Sequence, residues 1–384
     1  MATAVIVDAV RTPLGRRNGK LKDTHPVDLA AHVLRSVVKR NDLDPALVED
    51  VIMGCVMQVG DQGINIARNA ALAAGFPESV VGTTVDRQCG SSQQAAHFGA
   101  QGVIAGAYDV VIAAGVENMT RVPMGASVIP GSFPFGPLMT QRYPGLVPQG
   151  ISAEMISEKW GISREDNDRF SAESHQRAAR ATKEGRFERE IVPINVTTEA
   201  GEELFSTDEG IRPDSSVETL AKLKPAFKPD GVITAGNSSQ ITDGAAAVLI
   251  MSEEKANQLG LKPRARFHTF ALAGVDPVIM LTGPIPATTK VLERAKMTID
   301  QMDLIEINEA FAPVVLSWEK EHHPDMSKVN PNGGAIAIGH PLGCSGARLM
   351  ATLLNALEAS GGRYGLQTMC EGGGMANATI IERL

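Results

Sequence analysis

One phrase occurs twice in this chain. Cys89-Gly90-Ser91-Ser92 opens a stretch of helical spacing, the apolar run 110–114 follows, and Gly115 lies 115 − 89 = 26 residues beyond Cys89. Cys344-Ser345-Gly346-Ala347 opens a second such stretch, the run 365–369 follows, and Cys370 lies 370 − 344 = 26 residues beyond Cys344. Asn118-Met119 and Gly374-Met375 then match in offset to within one residue. A helix and a buried strand reused at a fixed offset form one supersecondary unit copied twice, which predicts two similar halves facing each other. Catalytic groups can converge where such halves meet.

The remaining pattern agrees with two copies of an α/β unit. Short Val/Ile runs at 4–7, 246–251, 304–307 and 379–382 alternate with amphipathic stretches, in a chain of 384 residues with 38 glycines. That is the signature of buried strands covered by helices, and the length exceeds one ordinary core. Residues 27–40 follow Pro26 with helical spacing, and 344–359 are closed by Gly361 and Gly362 as a helix end should be. From Asn118 to about Pro229 the character changes: 123–148 is rich in proline and glycine, and 164–184 reads as a highly charged helix stopped by Gly185. This region reads as an insertion. The boundaries expected are 1–117 with 245–265 for one half, 118–244 for the insertion and 266–384 for the other half.

Composition excludes several classes of function. Lysine plus arginine number 36 against 44 aspartate plus glutamate, giving −8, so no nucleic-acid partner is expected. Asp8, Arg11, Arg16 and Arg17 interrupt the apolar start, leaving neither a signal-peptide core nor a membrane span, and a cytoplasmic location is expected. Cys55, Cys89, Cys344 and Cys370 show no CxxC spacing, so reduced thiols are expected and a disulfide framework or metal site is not. No GxGxxG or GxxxxGK[ST] segment supports nucleotide chemistry.

Four residues stand out as chemistry. Cys89 sits where an apolar run gives way to a helix, and the positive end of a helix dipole should depress a thiol below its usual ~8.5. His340 lies in Gly339-His340-Pro341 at another helix entrance, and Asn308 directly follows a strand, where an amide can polarise a carbonyl. Cys370 precedes Gly372-Gly373-Gly374, a run whose backbone N–H groups can approach a ligand closely. Taken singly, each also fits a structural role: an inert buried cysteine, a turn histidine, a helix cap.

Together, Cys89 with Ser91-Ser92, Asn308-Glu309-Ala310-Phe311, Gly339-His340-Pro341 and Cys370-x-Gly372-Gly373-Gly374 resemble the thiolase family. Ala235-Gly236-Asn237-Ser238-Ser239 and Asp8-Ala9-Val10-Arg11-Thr12-Pro13 extend the resemblance over the full length. It implies the thiolase fold, two duplicated α/β halves with mixed sheets plus an inserted loop domain that holds coenzyme A. It implies an acyltransferase that cleaves 3-ketoacyl-CoA with coenzyme A, or runs the reverse condensation, with coenzyme A as co-substrate and no other cofactor. By resemblance Cys89 is the nucleophile, His340 helps activate it, and Cys370 is the general acid/base. Asn308, through a water, joins His340 in one oxyanion hole, and the N–H groups of Cys89 and Gly372 form the other. Ser239 is expected on the pantetheine arm, with Arg212, Lys222 and Lys224 as candidates for the phosphates. A homodimer or homotetramer is expected in the same way.

The sequence departs from many members in two places. Pro148-Gln149-Gly150 stands where short-chain enzymes often have His-Met-Gly, and Arg87-Gln88-Cys89 with Ser238-Ser239-Gln240 looks like an actinobacterial group that includes steroid side-chain enzymes. Two other readings fit the same fold. A ketosynthase-like condensing enzyme is expected to place histidine near the position of Cys370, and a silent acyl-CoA or lipid binder would not need all four motifs.

Overall fold

The computed structural model describes residues 2–198 and 201–384. Among the described residues, nine strands run through one large mixed sheet: β1 (Ala4–Arg11), β2 (Asp50–Gly54), β3 (Val81–Val85), β4 (Val110–Asn118), β5 (Thr242–Ser252), β6 (Ala265–Gly274), β7 (Leu304–Ile307), β8 (Tyr364–Glu371) and β9 (Met375–Arg383). Their spatial order is β7-β8-β9-β6-β1-β5-β4-β2-β3, and the short strand Gly15–Arg16 adds a tenth by pairing with β5. Strand β2 pairs parallel with β4, β4 antiparallel with β5, and β5 antiparallel with β1. The other half repeats this sequence of pairings, β7 parallel with β8, β8 antiparallel with β9, and β9 antiparallel with β6. The copies join where Val5 and Ile6 of β1 pair with Arg266 and Ala265 of β6.

Helices cover both sheet faces. Helices α1 (Pro26–Arg40) and α2 (Ile66–Ala73) share one core with the outward side of the first half, which takes Val5, Val7 and Val10 from β1. Ala4, Ile6 and Ala9 alternate to the opposite core, where α3 (Ser91–Ala105) and the C-terminal helix Ser345–Ser360 lie between the halves. Helices α6 (Pro284–Ala295) and α7 (Ala312–His322) cover the second half around the fully buried Trp318, numbered after two helices of the insertion, α4 (Gln149–Lys159) and α5 (Arg164–Lys183). The C-terminal helix Ser345–Ser360, here α8, crosses α3 so closely that a Cβ on Gly346 would run into the backbone nitrogen of Gln93. Gly346→Ala should therefore lower stability by about 1–3 kcal/mol through overpacking. A fall in the denaturation midpoint checks this.

The two copies differ most in one connection. Between β8 and β9 the chain turns through Gly372, Gly373 and Gly374, whereas between β4 and β5 it leaves for residues 119–241. Gly373 and Gly374 have φ of 82° and 80°, a conformation open to glycine, so part of the triple-glycine run is a hairpin requirement. The insertion is tied back by buried polar contacts. Arg11 of β1, fully buried, donates to Asp208 at 2.7 and 2.9 Å and to Glu190 at 2.6 Å.

Candidate active site

Cys89 lies on the tight turn between β3 and α3. The preceding Gln88 has φ 48°, uncommon for a residue with a side chain, and the turn is pinned by Arg87 N–H donating to Ser91 Oγ at 2.9 Å. Such strain just before a buried thiol needs support from its surroundings. The N–H groups of Gly372 and of Cys89 itself, with the Gln149 side-chain amide, favour the charged sulfur. Burial opposes them and is the larger influence. Together with the nearby Glu371 carboxyl it pushes the Cys89 thiol up to about 12. The expectation of a depressed thiol is thus overturned: desolvation outweighs the helix end.

Cys370 arrives from the opposite half. The strand predicted at 365–369 extends through Glu371, so Cys370 sits within β8 and its side chain packs among Ala153, Ile156, Ile233 and Phe311. Burial raises its proton affinity first, and charge on Cys89 raises it further, which places the two sulfurs within electrostatic reach of each other.

His340 follows Gly339, whose φ of 105° turns the chain out of the short helix Ala335–Ile338. Its backbone N–H donates to Thr242 Oγ1 at 3.1 Å. Ser345 Oγ donates to Pro341 O at 2.8 Å and so accepts from His340 Nδ1 at 2.6 Å. That chain leaves Nε2 as the lone-pair nitrogen, facing the Asn308 amide nitrogen at 3.4 Å. Burial, with the Arg348 charge, lowers His340 to about 3, so the imidazole is neutral. Asn308 Oδ1 is buried without a partner among the described residues.

Two buried carboxylates hold this turn from either side. Glu309 accepts from Ser174 Oγ at 2.6 Å, Asn330 Nδ2 at 2.9 Å and Ile336 N–H at 3.2 Å, joining the insertion to the helix that leads to His340. Glu117 accepts from the N–H groups of Val56 at 2.9 Å, Met57 at 3.1 Å and Gly343 at 2.9 Å.

A cavity of about 580 Å³ leads from solvent to His340 and Gln149, whose amide reaches Cys89. Met119, Phe227, Phe311 and Leu342 give it apolar walls, while Arg16, Arg17 and Arg212 supply positive charge. Ser239 lines it, and its N–H donates to Ala310 O at 2.9 Å. Lys222 and Lys224 are exposed and do not line it, because they follow the short helix Val217–Leu220 on its solvent side. The sequence marks Gln149 only within Pro148-Gln149-Gly150, as a departure bearing on acyl length, and marks neither Arg16 and Arg17 as cavity residues nor Ser345 and Glu117 as supports. Only the fold brings them to the site.

Comparison with known proteins agrees over the whole length. The family described as "Thiolase, N-terminal domain" matches residues 4–254, and "Thiolase, C-terminal domain" matches 261–383. The chain is 52% identical over 392 residues to "Steroid 3-ketoacyl-CoA thiolase FadA6" of Mycobacterium tuberculosis, covering 100% of this chain and 95% of that one. It is 48% identical over 394 residues to "3-ketoacyl-CoA thiolase" of Vibrio vulnificus, covering 100% of both. Among solved structures, the Bacillus anthracis acetyl-CoA acetyltransferase superposes with a TM-score of 0.92 at 42% identity, covering 100% of this chain and 99% of that one.

Proposed function

Because this chain belongs to the thiolase family, we propose that it cleaves 3-ketoacyl-CoA with coenzyme A to acetyl-CoA, or propionyl-CoA, and a shortened acyl-CoA, or runs the reverse condensation, through an acyl-cysteine at Cys89. The observation that supports this best is that charge on Cys89 reaches Cys370 from the opposite half, while a cavity lined by His340 and Gln149 leads to Cys89 through the Gln149 amide. In the forward direction Cys89 attacks the 3-keto carbon as His340 Nε2 takes its proton. Neither group ionises readily alone, given a thiol near 12 and an imidazole near 3, so transfer accompanies attack and charge moves to the carbonyl oxygen. The N–H groups of Cys89 and Gly372 suit one developing oxyanion, and protonated His340 with the free Asn308 Oδ1, acting through a water, suits the other.

Breaking C2–C3 leaves the acyl group on Cys89 and an acetyl-CoA enolate, whose C2 takes the Cys370 proton. The Cys370 thiolate then removes the thiol proton of free coenzyme A, which attacks the acyl-cysteine to form the shortened acyl-CoA, and the Cys89 sulfur it expels recovers its proton from His340. A second thiol suits this task because its raised proton affinity lets the thiolate take the proton from the coenzyme A thiol. Ser239 and the apolar walls fit the pantetheine arm, and Arg16, Arg17 and Arg212 fit phosphate. Lys222 and Lys224 could serve phosphates only from beyond the cavity, so they are second to these arginines. The scheme needs no resident cofactor.

The similarity to a steroid thiolase, with Pro148-Gln149-Gly150 standing where short-chain enzymes often have His-Met-Gly, favours bulky or longer acyl groups over acetoacetyl-CoA. Four free, buried cysteines suit a reducing cytoplasm, and no helix among the described residues is long and apolar enough to cross a membrane. Ile64, 94% exposed, and Val81, 54% exposed on edge strand β3, suit burial against a second copy in a homodimer or homotetramer. Addition of coenzyme A should consume a 3-ketoacyl-CoA and form two shorter thioesters, with the rate rising along a series of acyl lengths. Binding without turnover would instead mark a silent binder, and turnover only with a carrier-bound acyl group would mark a ketosynthase-like enzyme.

A further inference from the structure

Glu371 is the residue between the two candidate catalytic elements that the reaction scheme does not use. It occupies the last position of β8, next in the chain to Cys370, and is fully buried. Neither carboxyl oxygen has a hydrogen-bond partner among the described residues. The group lies against the nucleophile turn so closely that a Cβ on Gly90 would run into Oε1. Asn377 of β9, whose Nδ2 donates to Gly90 O at 3.1 Å, flanks the same spot. A carboxyl enclosed this way, unpaired and beside a thiol on either side, has no structural task that a smaller apolar residue would not do better.

We propose that Glu371 is a positioning residue for the two sulfurs: uncharged, it permits one of them to ionise, and charged, it holds both as thiols. This rests on the reading of Cys89 and Cys370 given above. The charged groups that reach it are Arg87 from the turn, which is half-buried, and the two cysteines, while β9 presents the neutral Asn377. Burial, only partly offset by Arg87, raises its carboxyl to about 8. At neutral pH it is therefore mainly protonated, and it acquires charge over the next unit or two. The Glu371 charge in turn raises the proton affinity of Cys89 and of Cys370. The sequence around this position is read as Cys-x-Gly-Gly-Gly; the structure assigns a purpose to x.

The test follows alkylation of Cys89 by iodoacetamide against pH in the full-length protein, with the modified residue identified by peptide mass spectrometry. Glu371→Gln keeps the shape and removes the charge. It should raise the Cys89 rate about tenfold at pH 9, equivalent to a one-unit fall in the thiol pKa. Coincident profiles for the two proteins overturn the proposal. Should the variant fold poorly, the native protein decides alone: its logarithmic rate should climb with pH, slacken between about pH 7 and 9 as Glu371 ionises, and climb again. An unbroken slope overturns it. Because alkylation needs no turnover, the result is separable from the function itself. Alkylation that responds as expected while no acyl-Cys89 forms would retain the charge coupling and reject the acyl-transfer reading.

Discussion

Cys89→Ser is expected to lose the covalent acyl-enzyme altogether and to lower turnover by roughly 10⁴-fold or more, since removing a nucleophile removes the step that the other groups serve. The substitution is nearly isosteric in a buried position, so folding should survive, and an unchanged circular dichroism spectrum checks that. Oxygen cannot replace sulfur here for a reason visible in the site. His340 is lowered to about 3, a weak base that can assist a thiol pushed up to about 12 only as attack proceeds. A serine hydroxyl is a weaker acid still. Intact-mass measurement after mixing with a 3-ketoacyl-CoA should show the acyl increment on the native chain and none on the variant. An adduct that persists in the variant, on any other residue, would reject the assignment.

The repeat was legible because it is written in neighbouring residues. Helix 91–105, strand 110–118 and their copies at 345–360 and 364–371 each carry their own periodicity, and the pairing order of the strands repeats with them. The sequence marks no strand at β2, β3 or β6. Val81–Val85 is a sheet edge with exposed threonine and valine, and Ala265–Gly274 alternates arginine, histidine and threonine with apolar residues, so neither shows the continuous run of a buried strand. The four motif residues stand out only together, through the family resemblance of their motifs, because singly each also fits a structural role. Their supports do not stand out as such: Gln149 reaches Cys89 from the insertion, and Glu117 accepts from Gly343 across 226 residues of chain. Electrostatics was the least legible. A helix end beside Cys89 is visible in sequence, but the burial that outweighs it belongs to the assembled halves, as does the carboxyl of Glu371.

Cys370→Ala should separate the two kinds of work that the sulfurs do. Attack by Cys89 does not require the second thiol, so an activated acyl thioester whose leaving group departs without a proton should still load Cys89 at close to the native rate. Carbon–carbon cleavage does require it, because the enolate released from a 3-ketoacyl-CoA must be protonated at C2 or it recombines with the acyl-cysteine. Thiolysis also requires it, because free coenzyme A must lose a proton before it attacks. Both steps should fall by about 10²–10⁴-fold, the usual contribution of a positioned acid or base. Cys370 sits in an apolar cluster with Ala153, Ile156, Ile233, Phe311 and Val314, and the titratable groups whose charge reaches it are Cys89, itself the proposed acyl carrier, and Glu371. Glu371 is adjacent in the chain, but successive side chains of a strand point to opposite faces, and its carboxyl lies on the Gly90 side. Single-turnover loading and steady-state thiolysis, measured on the same preparation, give the two rates. A variant that loads slowly but thiolyses normally, or that keeps both within threefold of native, would remove Cys370 from the proton path.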